Sequence, residues 1–387
     1  MRILQVHNSY RQRGGEDTVV ETEAELLRAA GHELIQYRTT NPPGVARAGG
    51  ALSISAWNPW AAREVGQVAL RVKPDVAHVH NTWYRLSPSV LRSLRIQGIP
   101  TVVTVHNYRL VCANASLYRN GAACTDCVGS HPWHGVVHRC YRDSIGASMA
   151  AAGSIAINRG LGTWVKYVDR FVVATKFLED MLVDTGLPAD RMRRIPLSAP
   201  DPGERQQPPS RSRTVLLVGR LDPEKGAREF FEIWRSSDCD LELAVIGDGV
   251  ERAELEEMAL PNVRFLGWMD PADVRRQMLA ARALVFPSRL METFGLGIVE
   301  AFAAGIPAIA NDMGTRPDSV GHDGAGWLVN NHQDWEAALT ALADDSVVDA
   351  AGVTARRRYL ATFHPDVTLP QLVAVYRELQ TDGVPAG

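Results

Sequence analysis

Short apolar runs alternate with amphipathic helix patterns along the whole chain. In the first half, four runs have the composition of strands that are buried on both faces of a parallel sheet: Ile3–Val6, Val76–Val79, Thr101–Val105 and Phe171–Val173. Between them, apolar residues recur at helical spacing over Glu16–Ala30, which Gly31 ends, and again over Ala61–Val72. This alternation predicts a doubly wound α/β domain.

The same alternation restarts in the second half of the chain. Five further strands are predicted, at Thr214–Val218, Leu241–Ile246, Val263–Leu266, Ala283–Phe286 and Pro307–Ala310. The predicted fold class is therefore α/β, with two doubly wound, Rossmann-like domains that face each other across a cleft. In such sheets, ligands bind at the carboxyl ends of the strands.

A polar, proline-rich segment without periodicity, 199–213, separates the two halves and is predicted to be an interdomain linker. The first domain then spans 1–198, with a cysteine-rich insertion at about 107–165, and the second spans 214–365. A last helix pattern, Leu369–Gln380 within the segment 366–387, follows the second domain and is free to pack back on the first.

Two glutamates, Glu292 and Glu300, stand on either side of a strand-to-helix connection. Glu292 follows the predicted strand Ala283–Phe286, and Glu300 lies inside the next helix pattern. The amides near Gly295 and Leu296 begin that helix and can bind an anion. Carboxylates on both sides of a phosphate site can accept hydrogen bonds from sugar hydroxyls, so the connection predicts a nucleotide-sugar site.

A second connection in the same predicted domain carries two cations. Gly219 follows the strand Thr214–Val218 directly, where a glycine lets the backbone turn tightly beside a ligand. Arg220 and Lys225 come next, at an edge where they can bind a diphosphate. An ordinary loop with solvated charges would have the same composition, and the glutamate pair further along favours the functional interpretation.

Together, Gly219–Gly226 and Glu292–Glu300 make the chain resemble the bacterial family-four glycosyltransferases, which are retaining enzymes of the GT-B fold. The resemblance covers both predicted domains. Further matching positions are Gly14 and Gly15 after the first strand, His106 after the strand at 101–105, the segment Val245–Gly249 with Gly247, and the segment Ala301–Pro307.

The resemblance implies roles for these residues and a reaction. Arg220 and Lys225 would hold the donor diphosphate, and Glu300 the ribose hydroxyls. Glu292 would bind hydroxyls of the transferred sugar, with Phe294, Gly295 and Leu296 presenting backbone amides. His106 would contact the sugar, and Gly14 and Gly15 would let their loop approach the donor phosphate or the acceptor. The expected function is transfer of a hexose-type sugar from a UDP- or GDP-sugar to a glycan, lipid-linked or small-molecule acceptor.

Several alternatives remain open on the sequence. Paired carboxylates also serve glycoside hydrolases, but a hydrolase would not need the adjacent cations. A nicotinamide-dependent oxidoreductase needs a third glycine that the segment beginning Gly247-Asp-Gly249 lacks. A nucleotide-sugar epimerase of the same fold, and a binding protein without catalytic activity, are the other two alternatives.

The chain departs from the family pattern at two places. Leu197-Ser-Ala199 replaces a common Asn-Gly turn, and Gly314-Thr-Arg316 replaces a Gly-Gly pair. Arg316 could bind an acidic group or face solvent. Asp238-Cys-Asp240 has the spacing of a metal-binding motif but is predicted to be a turn before a strand. The resemblance implies that no cofactor takes part in the chemistry.

Four of the five cysteines fall within residues 112–140: Cys112, Cys124, Cys127 and Cys140. The Cys-x-x-Cys pair, with one cysteine on each side, is typical of a tetrahedral structural zinc site, and His131, His134 and His138 offer substitute ligands. Four thiols without a metal, in an inserted loop, are the alternative.

Composition limits the remaining possibilities. The hydrophobic fraction of 45% is typical of a folded domain. Nucleic-acid binding is not indicated, because the sequence contains no block of Lys and Arg interleaved with aromatic residues. The N-terminus lacks the pattern of a signal peptide, so we expect a cytoplasmic protein.

Residues 1–200 carry 23 Lys and Arg against 15 Asp and Glu, and the remainder carries 18 against 29. The basic half can meet an acidic acceptor or an anionic membrane face, or simply be a differently solvated surface.

Overall fold

The computed structural model describes residues 1–10, 14–41 and 54–381, in two compact units. The first unit comprises residues 1–119, 124–196 and 369–387, and the second comprises 120–123 and 197–368. The last six residues of the predicted C-terminal segment lie outside the described residues.

The first unit contains a six-stranded parallel sheet with the order β2-β1-β3-β4-β7-β8. Its strands are β1 (Arg2–Ser9), β2 (Glu33–Thr40), β3 (Val76–Val79), β4 (Thr101–Thr104), β7 (Arg170–Val173) and β8 (Met192–Arg194). A separate two-stranded sheet pairs β5 (Tyr118–Arg119) with β6 (Ala122–Ala123). Strands β2 and β8 were not predicted, because both lie at edges of the sheet and carry polar residues.

Helices cover the first sheet and form the insertion. They are α1 (Gly15–Ala29), α2 (Pro59–Val72), α3 (Ser89–Ile96), α4 (His134–Val137), α5 (Ile145–Gly160), α6 (Thr163–Tyr167) and α7 (Lys176–Asp184). The predicted helix Glu16–Ala30 is confirmed with a shift of one residue. Asn58 begins α2 as an N-cap, since its side chain accepts hydrogen bonds from Trp60 and Ala61.

A C-terminal helix completes the core of the first unit from Leu369 onward. This helix is the fifteenth in chain order, because seven helices of the second unit come between it and α7, and it is named α15 (Pro365–Thr381). Its apolar face packs with Ile3, Val76 and Val102 of the sheet. The Tyr376 hydroxyl also lies 2.7 Å from His78 Nδ1, so a polar contact fixes the helix over the buried core.

The second unit repeats the doubly wound plan with the strand order β11-β10-β9-β12-β13-β14, again parallel. The strands are β9 (Thr214–Val218), β10 (Glu242–Ile246), β11 (Val263–Gly267), β12 (Ala283–Phe286), β13 (Ala308–Asn311) and β14 (Gly326–Val329). The helices are α8 (Ala227–Ser236), α9 (Arg252–Glu257), α10 (Pro271–Ala280), α11 (Leu296–Ala303), α12 (Arg316–Val320), α13 (His332–Ala343) and α14 (Asp345–Arg358). All five predicted strands are confirmed, and the sheet edge β14 was missed.

The segment predicted as a linker, 199–213, is bound to the second unit. Arg356 of α14 pairs with Asp201 at 2.9 Å, and both the backbone amide and the hydroxyl of Ser210 donate to Asp349.

Within the described part of the chain, no helix is long and apolar enough to cross a membrane.

Candidate functional site

Four neighbouring strands of the second unit end at one edge of its sheet, and the predicted site residues follow them. Gly219 comes after β9, Gly247 after β10 and Pro287 after β12, while Asn311 ends β13. We call residues 219–226 the basic loop and residues 287–295 the glutamate loop. Because the strands are parallel, their carboxyl ends bring these loops together.

The backbones of these loops approach one another so closely that glycine is required. A Cβ atom on Gly247 would lie 1.8 Å from the carbonyl oxygen of Gly219, and one on Gly226 would lie 2.4 Å from that of Pro287. The Arg289 amide also donates to the Glu224 carbonyl at 2.9 Å. The basic loop is therefore fixed against the glutamate loop by its backbone, before any ligand is considered.

Lys225 and Glu292 form the central ion pair of this edge. Lys225 Nζ lies 2.7 Å from Glu292 Oε1, and the Ser288 hydroxyl donates to the same oxygen at 2.7 Å. Burial alone would raise the pKa of Glu292, but the charge of Lys225, the two hydrogen bonds and Arg316 together lower that pKa below its usual value. Glu292 is therefore a carboxylate at neutral pH, with Lys225 beside it as a cation.

Arg220 is differently placed from Lys225. Its side chain is 61% exposed and is held by two acidic residues of its own loop, Asp222 and Glu224. The distance from Arg220 Nη2 to Glu224 Oε1 is 3.1 Å. An incoming phosphate would thus compete with two half-buried carboxylates for the exposed Arg220.

Glu300 lies inside α11, with its side chain half-buried. Burial raises the pKa of Glu300 to about 7, and the charge of Arg275 only partly opposes this shift. Among the described residues, Glu300 has no ion pair or side-chain hydrogen bond in the structure. Such a carboxyl group has its acceptor oxygens available for a hydroxyl-bearing ligand.

The start of α11 follows the glutamate loop directly. Gly295 is its N-cap with a left-handed φ of 86°, and Leu296 is the first helical residue. The first amides of a helix have no partner within the helix, so they can bind an anion. Phe294 is buried and packs edge-to-face on Phe363, which makes this side chain a core anchor while its backbone lies in the loop.

Helix α12 binds the backbone of the glutamate loop at alternate residues. Arg316 Nη1 donates to the Leu290 carbonyl at 2.8 Å, the Thr315 hydroxyl to the Glu292 carbonyl at 2.7 Å, and the Ser319 hydroxyl to the Phe294 carbonyl at 2.5 Å. Arg316 does not face solvent: its side chain is fully buried and donates to backbone carbonyls, and its charge contributes to the lowered pKa of the acidic residue Glu292.

Sequence reasoning missed these supporting residues. Asn311 also supports the glutamate loop, because its side-chain amide donates to the carbonyls of Pro287 and Ser288 at 2.8 and 3.1 Å. The available signal was position: residues 311–319 follow β13, the next strand in the sheet, and therefore reach the same edge.

In the first unit, His106 follows β4 and belongs to a buried histidine cluster. His106 Nε2 lies 2.9 Å from His80 Nδ1, and the Glu23 carboxylate lies 3.3 Å from His80 Nε2. Burial, assisted by neighbouring His78, lowers the pKa of His80 to about 4, and burial with His80 holds the pKa of His106 well below its usual value. Both rings are therefore neutral at pH 7, and one donates to the other.

Gly14 and Gly15 begin α1, and neither position requires glycine by its local contacts. Gly14 is the N-cap with an ordinary φ of −124°, and a Cβ atom on either residue would meet nothing within 4 Å among the described residues.

A cavity of about 50 Å³ lies beside His106 within the first unit. Its lining includes His80, Trp83, Arg109 and Asn158. The guanidinium of Arg109 stacks over Trp83 at 4.4 Å and over Tyr141 at 4.8 Å, so an aromatic–cation layer forms one wall.

The four clustered cysteines, Cys112, Cys124, Cys127 and Cys140, line a second, smaller cavity of the first unit. Cys239 lies apart from them, before β10 of the second unit. All five are free thiols.

Comparison with known proteins agrees with this geometry. The family model of Glycosyltransferase Family 4 matches residues 13–198, and that of Glycosyl transferases group 1 matches residues 203–349. The chain belongs to the family-four glycosyltransferases of the GT-B fold, as its motifs predicted.

Two curated relatives illustrate the similarity. A GDP-mannose-dependent alpha-mannosyltransferase of Mycolicibacterium smegmatis is 34% identical over 42% of this chain and 42% of the relative. A phosphatidyl-myo-inositol mannosyltransferase of Mycobacterium leprae is 33% identical over 45% and 49%. The matched part therefore spans less than half the length of these relatives.

Solved structures resemble nearly the whole chain. Sucrose-phosphate synthase of Thermosynechococcus elongatus has a TM-score of 0.74 at 19% identity and covers 98% of this chain and 99% of its own. HepE of Anabaena in complex with UDP has a TM-score of 0.70 at 17% identity, covering 98% and 100%. At these identities the likeness establishes the fold, and the predicted α/β class with two doubly wound sheets is confirmed.

Proposed function

We propose that the protein is a retaining glycosyltransferase that transfers a hexose-type sugar from a nucleoside diphosphate sugar to a hydroxyl-bearing acceptor. The observation that carries the proposal is the Lys225–Glu292 ion pair, 2.7 Å apart at the carboxyl edge of a doubly wound sheet. The positive charge of Lys225 can bind the departing diphosphate, and the Glu292 carboxylate can accept hydrogen bonds from sugar hydroxyls. A nucleotide sugar carries both groups.

The chemistry follows from charge. When the bond between the anomeric carbon and the diphosphate breaks, negative charge develops on phosphate oxygen and positive charge on the sugar. Lys225, together with Arg220 and the first amides of α11, stabilises the phosphate charge mainly in the transition state. The departing phosphate accepts the proton of the acceptor hydroxyl, so the proposal needs no protein base. His106 is proposed to contact the transferred sugar.

Donor choice is proposed as UDP- or GDP-sugar. The relative from M. smegmatis is named for GDP-mannose, and the HepE structure contains UDP. An epimerase of the same fold would use the same donor but would change the sugar with no acceptor present. Transfer that depends on an added acceptor distinguishes the two reactions.

The test is calorimetric binding of nucleoside diphosphates, followed by transfer assays with the corresponding sugars. A bound donor at about a hundred times its Kd is expected to raise the unfolding free energy by about 2.7 kcal/mol. We further expect affinity to fall as the pH drops below about 7, because protonation of Glu300 weakens its acceptance of ribose hydroxyls.

The control for the pH effect is Glu300→Gln with a nucleotide sugar as the ligand, because its diphosphate is esterified at both ends and does not titrate in this range. The affinity of this variant is expected to be low and nearly independent of pH between about 5.5 and 8.5. Binding of no nucleoside diphosphate by the wild type would refute the proposed function. An unchanged pH profile in Glu300→Gln would refute only the role of Glu300.

The proposal includes contact of the first unit with an anionic membrane. Exposed apolar residues recur along α5 and α6, next to exposed cations of the insertion: Ile145, Met149, Ile157, Leu161 and Val165, with Arg139, Arg142 and Lys166. A surface that combines both kinds of side chain binds the interface of an acidic bilayer.

We expect co-sedimentation with vesicles that contain acidic phospholipid, and little with neutral phosphatidylcholine vesicles. Met149→Glu/Ile157→Glu changes two exposed positions and is expected to abolish the binding. Failure of the wild type to sediment with acidic vesicles, or equal binding by the double variant, would contradict the membrane contact.

A further inference from the structure

The cysteine segment has little regular structure to hold it in place. Between Cys112 and Cys140 the structure contains only the two short hairpin strands β5 and β6 and the single turn of α4. Yet four cysteine side chains, which come from three separate parts of this segment, line one cavity of about 20 Å³. Short segments without a core of their own commonly depend on a cross-link or a metal ion.

Close packing of α4 brings two of these parts together. A Cβ atom on Gly135 would lie 2.7 Å from Cβ of Ala113, so only glycine lets α4 approach the chain next to Cys112. The Cys140 amide donates to the Gly135 carbonyl at 2.9 Å, and the Gly135 amide and the Cys127 thiol both donate to the Pro132 carbonyl, at 3.1 and 3.9 Å.

Cys112, Cys124, Cys127 and Cys140 line one cavity, and a divalent cation between their sulfurs would hold all four as thiolates. Arg119 lies beside Cys124 and Cys140 and pairs with Asp126 at 2.8 Å.

We propose that Cys112, Cys124, Cys127 and Cys140 bind one structural zinc ion. Zinc with four thiolates carries a net charge of −2, and Arg119 supplies compensating positive charge from the second layer of contacts. The ion would hold both ends of the segment at the wall of the cavity beside His106, since Arg109 precedes Cys112 and its stacking partner Tyr141 follows Cys140.

Another group of potential ligands is tighter but is explained without a metal. The ligand atoms of Glu23, His78 and His80 all lie within 4.8 Å of one another. His78, however, is already bound by Tyr376 at one nitrogen and by Thr104 at the other, both at 2.7 Å. Neighbouring residues already provide hydrogen-bond partners for this cluster, whereas the four thiols line a cavity that a zinc ion would fill.

The test is metal analysis of the whole protein, purified without chelator after expression in zinc-supplemented medium. We expect about one equivalent of zinc in the wild type and under about a tenth in Cys124→Ser/Cys127→Ser. Cys239→Ser is the matched control, since it also removes one partly buried thiol but lies in the other unit, and it should keep the full equivalent.

A measurement on the wild type alone covers the case in which the double variant fails to fold. Reconstitution with Co²⁺ is expected to give the intense visible bands of tetrahedral cobalt and the near-ultraviolet absorption of cobalt–thiolate bonds. A thiol reagent should then release the metal as four cysteines react. Less than about a tenth of an equivalent of zinc, or four cysteines paired in disulfides, would overturn the proposal.

Discussion

Replacing Lys225 with methionine is expected to reduce sugar transfer by at least about 10²-fold while the protein stays folded. Lys225 is the less exposed of the two cations at this edge of the sheet, and its Nζ lies 2.7 Å from Glu292 Oε1. It is the group that a departing diphosphate would contact. Loss of one fixed group that stabilises transition-state charge commonly costs about 10²–10³ in kcat. Steady-state kinetics with a donor identified by calorimetry gives the measurement.

The same change has a second consequence, for stability. Without Lys225, the Glu292 carboxylate loses its nearest positive charge while it keeps the hydrogen bond from Ser288, and its pKa rises. In the wild type the pKa of Glu292 is lowered by folding, so its contribution to stability is present at neutral pH and is lost as the pH falls through that lowered pKa. We expect Lys225→Met to lose roughly 1–3 kcal/mol at pH 7, and less in acid.

A double variant separates the two effects. Lys225→Met/Glu292→Gln removes both charges and keeps a group that can accept from Ser288, so urea unfolding at pH 7 should recover most of the lost stability. Sugar transfer should not recover. Arg264→Met is the control for loss of a cation, since Arg264 pairs with Glu242 at an exposed site and should change neither quantity. Full transfer by either Lys225 variant would refute its role.

Strand positions of this protein were predictable where burial is complete. Val76–Val79 and Ala283–Phe286 have the predicted bounds, because central parallel strands are apolar on both faces. The missed strands β2, β8 and β14 lie at sheet edges, where one side of the strand has no neighbour and polar residues are tolerated. Composition therefore located the central strands of each sheet and, of the four edge strands, only β11.

The candidate site was predictable in its charged residues and unpredictable in their pairing. Spacing and position after strands brought Lys225 and Glu292 to one edge, since all parallel strands end there. Spacing could not show that the two side chains bind each other, or that Arg220 is exposed and paired within its own loop. Those outcomes depend on rotamers and on backbone contacts such as that between Gly226 and Pro287.

Replacing Arg316 with methionine is expected to lower donor affinity by at least about tenfold, although Arg316 is buried below the site. Arg316 donates to the carbonyls of Leu290 and Asn311, and these hydrogen bonds support the glutamate loop. The charge of Arg316 also helps to keep Glu292 ionised. Methionine fills much of the space but leaves those carbonyls without their donor. We expect a loss of about 2–4 kcal/mol in unfolding free energy along with the loss of affinity.

Arg282 supplies a matched control at the opposite edge of the same sheet. It precedes β12, is only 3% exposed and, like Arg316, donates to backbone carbonyls, among them those of Ser210 and Leu342. Arg282→Met should therefore lose a similar stability but bind the donor normally while folded. Calorimetry below the unfolding range of both variants makes the comparison. Equal affinities would show that Arg316 contributes only to stability, whereas a deficit confined to Arg316→Met would show that donor binding depends on how α12 positions the glutamate loop.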